Sequence, residues 1–280
     1  MTLDHATIVS LGSRLPPSLG VLGRLQTLLN DPTADLDDIV ELVNIDPALT
    51  FQVIKLANSA LYGLRARCES LEDAVARVGF GDIHQIVGLA VSRHAFQGEL
   101  PVYDIAGGRL WENAVAIGTL NAELALLAGG DARAAYATGL LRSIGKVVLN
   151  NFAPLTAYPG EAAAPRVHEW EKAQHGVDAA EVSAVLLDHW RFAPETIGAV
   201  RGQHAPELQP EFAGAAARLH LACGMAAGRG CALPGESAGW RVEPAMFRLA
   251  GVPAETVAEA VERAHRRFVA CAMLEWSSAA

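Results

Sequence analysis

The chain has 280 residues, 51% of them hydrophobic, which supplies a sizeable core for one large or two medium domains and excludes intrinsic disorder. Its 22 basic and 31 acidic side chains leave a formal charge of −9, which repels phosphate backbones and anionic membrane surfaces, so nucleic acid is not an expected partner. Cys68, Cys223, Cys231 and Cys271 are too scattered for a disulfide framework, and the opening MTLDHATIVS lacks the basic start of a secretory signal, so a cytoplasmic location is expected.

Apolar positions recur at intervals of three and four almost throughout, and β-branched alternation is rare, which predicts an all-α fold. Thr33 or Asp35 starts one helix, with Leu36, Ile39, Val40 and Val43 as its apolar stripe. Asp46 can cap the next, and Pro47 suits its first position because the missing N–H costs nothing there. Leu49, Val53, Leu56 and Ala60 share a face of that helix, and Gly63 as a left-handed residue would stop it near Leu61 or Tyr62. Ser70 with Asp73 forms a variant capping box for a helix ending at Gly79.

The stretch from Gly98 to Gly108, with Pro101 and three glycines, marks a boundary between an N-terminal helical lobe, residues 1–105, and a second helical lobe with a C-terminal helical extension, residues 106–280. A strong helix begins near Leu110 and Trp111. The most membrane-like stretch, Ala114 to Gly130, is interrupted by Asn121 and Glu123 and falls short of the about 20 apolar residues a span needs, so it reads as a buried core helix. Asn151 to Pro165, with Pro154, Pro159, Gly160 and Pro165, reads as an exposed connection, and a third break lies around Gly228 to Gly239.

Leu15-Pro-Pro, the Asp46-Pro-Ala-Leu turn into a helix and Leu56-Ala-Asn-Ser-Ala-Leu-Tyr-Gly63 resemble the opening of the HDOD domain, a bacterial output domain related to the HD metal-dependent phosphohydrolases. The resemblance extends over roughly residues 15 to 225. It implies a helical N-terminal lobe packed on a degenerate HD-like lobe, a role in signal transduction and, in general, no demonstrated catalysis.

HD enzymes hold metal with histidines and aspartates from several helices, because the cation activates water and steadies phosphate oxygens. Set against that pattern, Asn113 in Leu110-Trp111-Glu112-Asn113 stands where a histidine is expected. The His-Asp-Ile-Gly-Lys signature reads Arg142-Ser143-Ile144-Gly145-Lys146, which keeps its tail and replaces one ligand by an obligate cation. Ala179 takes a further histidine position, Gln203-His204 replaces a histidine pair after the Trp190 to Pro194 segment, and Cys223, or His220 with a shift in alignment, takes that of the closing aspartate.

The ligand set is thus expected to be lost, leaving no metal, no cofactor and no enzyme. Asn113, Arg142, Ser143, Lys146 and His204 would line the vestigial cleft, where Arg142, Lys146 and Arg201 could gather around a nucleotide-like anion. Alternatively, Arg142 and Lys146 pair with acids or with helix-end carbonyls. His204 reads as a surface or helix-end residue, His220 as a hydrogen-bonded core residue, and Cys223 and Cys231 as buried structural thiols. His175 with Asp178, and Asp188 with His189, lack a third ligand and read as solvated faces.

No phosphate loop or nucleophile elbow is present, and 6% aromatic content without a basic stripe argues against nucleic-acid binding. No attached receiver or cyclase domain is expected, so the expected input is a protein partner in a bacterial signalling pathway or a small anion, with no membrane partner. Trp111 and Tyr62 are candidate contact surfaces, with core burial as the alternative. The rival is a divergent HD-type phosphohydrolase acting on a nucleotide or cyclic dinucleotide, with ligands relocated to Asp178, Asp188, His189 and His204.

Overall fold

The computed structural model describes residues 3–59, 61–63, 67–151 and 156–273. Among them every extended element is helical, with one isolated bridge between Leu100 and Ile105, so the fold is all-α. The N-terminal helices are α1 (His5–Gly12), α2 (Leu19–Leu29), α3 (Leu36–Asn44), α4 (Pro47–Ala57), α5 (Leu71–Val78) and α6 (Phe80–Phe96). After a 3-10 turn at Pro101–Tyr103 come α7 (Arg109–Leu127), α8 (Ala132–Leu141), α9 (Ile144–Asn150), α10 (Val167–His175), α11 (Ala179–His189), α12 (Pro194–Arg201), α13 (Ala213–Gly228), α14 (Pro244–Ala250) and α15 (Val257–Ala272).

Side-chain caps set most of the early boundaries, because each helix start leaves backbone donors unsatisfied. Asp35 accepts from the Asp38 amide at 3.1 Å while Asp38 accepts from the Asp35 amide at 3.0 Å, a reciprocal box that starts α3. Asp46 accepts from the amides of Ala48 and Leu49 ahead of α4, and Ser70 from that of Asp73 ahead of α5.

The end of α4 departs from expectation, since the helix stops at Ala57 rather than near Tyr62. Its physical cause is Asn58, whose amide donates to the Cys68 carbonyl at 2.9 Å and accepts from the Cys68 N–H at 2.7 Å. That pairing competes with helix continuation and turns the chain away. Gly63 does adopt a left-handed φ of 56°, but beyond a turn; Ala60 lies outside the described residues.

In the second lobe α7 is the buried axis on which α8, α13 and α15 pack. A Cβ on Gly139 of α8 would sit 2.7 Å from the Gly118 Cα of α7, so these two helices meet backbone to backbone. The polar interruptions of the membrane-like stretch find partners within the protein: Asn121 donates to the Ala135 carbonyl at 2.7 Å, although its buried Oδ1 has no partner among the described residues, and Glu123 pairs with Arg263 at 2.8 Å. No helix among the described residues is long and apolar enough to cross a membrane.

The lobes meet where α6 packs on α7 and α8. Helix α1, although within the first 105 residues, packs on α9 and α11 of the second lobe, and the Leu3 amide donates to the His175 carbonyl at 3.1 Å. The connection expected to be exposed after Asn151 is in part buried: the Tyr158 ring lies edge-on to Trp170 at 5.4 Å, and its amide donates to the Val102 carbonyl at 2.7 Å. Burying that ring removes apolar area from water, which outweighs the loop character of its neighbours. Pro154 lies outside the described residues.

Candidate functional site

The degenerate signature sits at the junction of α8 and α9, with Arg142 as the last residue of one helix turn and Ser143 preceding the next. This junction is pressed against the start of α11: a Cβ on Gly145 would lie 2.2 Å from the Ala179 carbonyl oxygen. Ser183 of α11 locks the contact, accepting from the Gly145 amide at 2.9 Å while its hydroxyl lies 2.9 Å from the Arg142 carbonyl and 2.7 Å from that of Ala179. The glycine of the signature is therefore required by packing, independently of chemistry.

Arg142 points inward and is 2% exposed. It donates to Asn113 Oδ1 at 2.9 Å, to Gln203 Oε1 at 3.1 Å and to Glu236 Oε2 at 2.6 Å. Lys146 Nζ donates to Glu171 Oε1 at 3.0 Å and lies 3.5 Å from Glu236 Oε1. The other Glu171 oxygen accepts from the Ala179 amide at 2.8 Å. All four charged side chains are almost wholly buried, so two cations and two anions form a closed, neutral quartet in low dielectric.

Glu236 reaches the quartet on a strap, residues 231–241, between α13 and α14. Asn113 holds the strap through its amide, which donates to the Cys231 carbonyl at 2.6 Å, and the Arg241 amide donates to His220 Nε2 at 2.8 Å. The His220 Nδ1 lies 2.8 Å from the Gln203 carbonyl, so the neutral ring with its proton on Nδ1 satisfies both contacts. His220 is the buried, hydrogen-bonded core residue expected. Trp240 of the strap stacks on His204 at 5.0 Å, and His204 stacks in turn on His168 at 4.0 Å.

Electrostatics follow from this burial. Burial pushes the Glu236 carboxyl up, but Arg142 and Lys146 outweigh it and hold the group below its usual range. Burial, reinforced by His168, Arg142 and Lys146, holds His204 well below the usual histidine range, so its ring stays neutral. The Cys223 thiol is pushed up to about 12, mainly by burial, and is inert as a nucleophile at neutral pH.

The structure brings Asn113, Arg142, Lys146 and, through its stacking on Trp240, His204 to one place. Ser143 is buried, and its hydroxyl has no partner among the described residues. Arg201 does not join them; it pairs at 2.9 Å with Glu181 on the surface. The solvated reading of His175 and Asp178 is overturned, since both are buried: Asp178 caps α11 through the Glu181 amide at 2.8 Å and pairs with Lys172 at 3.0 Å. Asp188 and His189 are exposed. Trp111 is buried and lies under Arg93, and all four cysteines are buried.

Sequence reasoning missed Glu171, Glu236 and Trp240. A glutamate in a Pro-Gly-rich break carries no local mark of burial, so Glu236 had no signal; Glu171 follows Trp170 on α10 and reads as a surface acid.

A metal does not fit these residues. A guanidinium, that of Arg142, fills a position that the resemblance assigns to a ligand, and the carboxylates of Glu236 and Glu171 are engaged with Arg142 and Lys146. Among the described residues no three His, Cys, Asp or Glu side chains come together as a ligand set.

A model of the HDOD domain matches residues 15–206. An uncharacterized Treponema pallidum protein is 29% identical over 213 residues, which are 74% of this chain but 40% of that protein, so the chain spans about two fifths of this relative. Among solved structures, a Geobacter sulfurreducens HDOD domain protein of unknown function superposes with a TM-score of 0.73 at 20% identity, covering 96% of this chain and 99% of that one. A Marinobacter aquaeolei protein named for signal transduction gives 0.72 at 24% identity, covering 96% and 65%. A Shewanella amazonensis protein named as a phosphohydrolase gives 0.70 at 23% identity, covering 94% and 96%. At these identities the structures share the fold.

Proposed function

The chain belongs to the HDOD domain family, and from that premise we propose that it is a non-catalytic signalling protein acting through protein contacts. The observation that carries this reading is Arg142, buried in the position of a metal ligand and bonded to Asn113, Gln203 and Glu236. A cation held by three partners repels a second cation and leaves no acceptor free to bind one. The signal-transduction name of the Marinobacter relative in fold points the same way. Two buried cations matched by Glu236 and Glu171 also leave no net charge to attract a nucleotide phosphate, so the cleft serves as structure rather than as an anion site.

The hydrolase alternative draws on groups that stand far apart. Asp178 caps the start of α11 and His189 is the last of its 11 residues, about 16 Å along the helix. Metal analysis of the purified protein after manganese, iron or zinc loading, followed by assay on a nucleotide and a cyclic dinucleotide, separates the two readings. No stoichiometric metal and no turnover are expected. Turnover that disappears in His204→Ala overturns the proposal.

A further inference from the structure

Helices α2 and α3 leave between them a groove of about 280 Å³ lined by Arg24, Leu28, Asp38, Glu41, Leu42 and Ile45. Its apolar floor is Leu42, which is buried, and Leu28, which is half-buried; Ile45, at the end of α3, is 61% exposed. One open isoleucine means little, but here it borders a concave surface that already has an apolar floor.

The α3 rim is acidic. Asp35 and Asp38 have a local reason to be there, the reciprocal cap. Asp37 lies in the first turn of α3, where the free backbone amides favour a carboxylate, but Glu41 has no such reason: it is exposed, it stands four residues after Asp37 where like charges repel, and the ion pairs among the described residues all lie elsewhere. Helix α3 thus holds more negative charge than its own stability uses, beside an uncovered apolar groove.

We propose that this groove docks a basic amphipathic segment of a partner protein, with an apolar side chain on Leu28, Leu42 and Ile45 and lysines or arginines against Asp38 and Glu41. The proposal rests on the reading of the chain as one that works through protein contacts, and it assigns that contact a place and a charge. A second copy is a poorer occupant, because each copy carries −9 and brings like charge to like charge.

The test uses the full chain and two synthetic helices of about 14 residues, one of Lys and Leu at amphipathic spacing and one with Glu in place of Lys. Fluorescence anisotropy should show binding of the Lys/Leu peptide alone, weakened by salt, and weakened about tenfold by Glu41→Lys and by Ile45→Asp. Both positions are exposed, so the variants should keep the parental circular dichroism. Equal binding of both peptides, or indifference to both substitutions, overturns the groove assignment. A photo-crosslinker at Ile45, with Leu126 as an exposed control, extends the test to native lysate. A Lys/Arg-rich segment captured at Ile45 supports the proposal. A second copy of this chain captured there, or capture at Leu126 alone, overturns it while leaving the signalling reading intact; nucleotide turnover would overturn that reading instead.

Discussion

A buried arginine persists only while its charge is answered, and among the described residues Arg142 is answered by one direct carboxylate, Glu236 at 2.6 Å. Removing that carboxylate strands the Arg142 guanidinium, while Lys146 keeps Glu171, whereas removing a rim pair such as Arg201 and Glu181 strands nothing. Glu236→Ala should therefore cost about 3–5 kcal/mol in urea unfolding, and Glu181→Ala under about 1 kcal/mol. The double variant Arg142→Met with Glu236→Ala should regain part of the loss, because Lys146 keeps Glu171. Equal costs at the two single sites would mean that the quartet is open to solvent. The sequence marked Arg142 and Lys146 only because they occupy the signature; their acids arrive from 25 and 94 positions away, a separation no local pattern encodes. His84 supplies a second residue-level expectation. It is wholly buried on α6 without a hydrogen-bond partner among the described residues, and burial, with Arg133 adding to it, lowers it from the usual 6.5 to about 4. The unfolded chain takes up this proton near pH 6.5 and the folded chain only near 4, so stability is complete above 6.5 and falls as pH drops through that window. Over the whole window the loss from this ring is about 3 kcal/mol, and His84→Leu should remove that part of the acid sensitivity in denaturant titrations from pH 7 to 4.

At the scale of elements, short-range chemistry was readable and contact across elements was not. Asp35, Asp46 and Ser70 announced their helix starts because a cap lies within three residues of what it caps. The end of α4 was misplaced because its cause, the Asn58 to Cys68 pairing, joins residues 10 positions apart. Gly145 shows the same limit: its place in the signature was plain, but only the approach of α9 to α11 explains why it must be glycine. Gly145→Ala would drive a methyl group to 2.2 Å from the Ala179 carbonyl oxygen, which is backbone and cannot turn aside. Separation of α9 from α11 also strains the Ser183 bridges, so a loss of at least about 3 kcal/mol in thermal or urea unfolding is expected. Gly81, where a Cβ meets nothing within 4 Å, is the matched control and should tolerate alanine.

For the whole molecule, the family match and the folding unit do not coincide. The match ends at residue 206, yet the second lobe is completed by helices C-terminal to that point. Helix α13 packs on α7, α8 and α12 and buries Leu219, Leu221 and Cys223 against them, while α15 covers another face of α7. The strap then contributes Glu236 to the quartet and Trp240 to the histidine stack. A chain ending at residue 206 would keep every motif that carries the family resemblance up to His204, and would lose the apolar cover of α7 together with the only carboxylate among the described residues that Arg142 meets directly. Exposed apolar surface and an unanswered buried charge act in the same direction. Residues 1–206 alone should retain helical circular dichroism, bind a hydrophobic dye and lack the cooperative urea transition of the full chain. A sharp transition in the shortened chain, with the same midpoint as the full one, would instead make the C-terminal helices an appendage and leave Glu236 without the structural role that its burial implies.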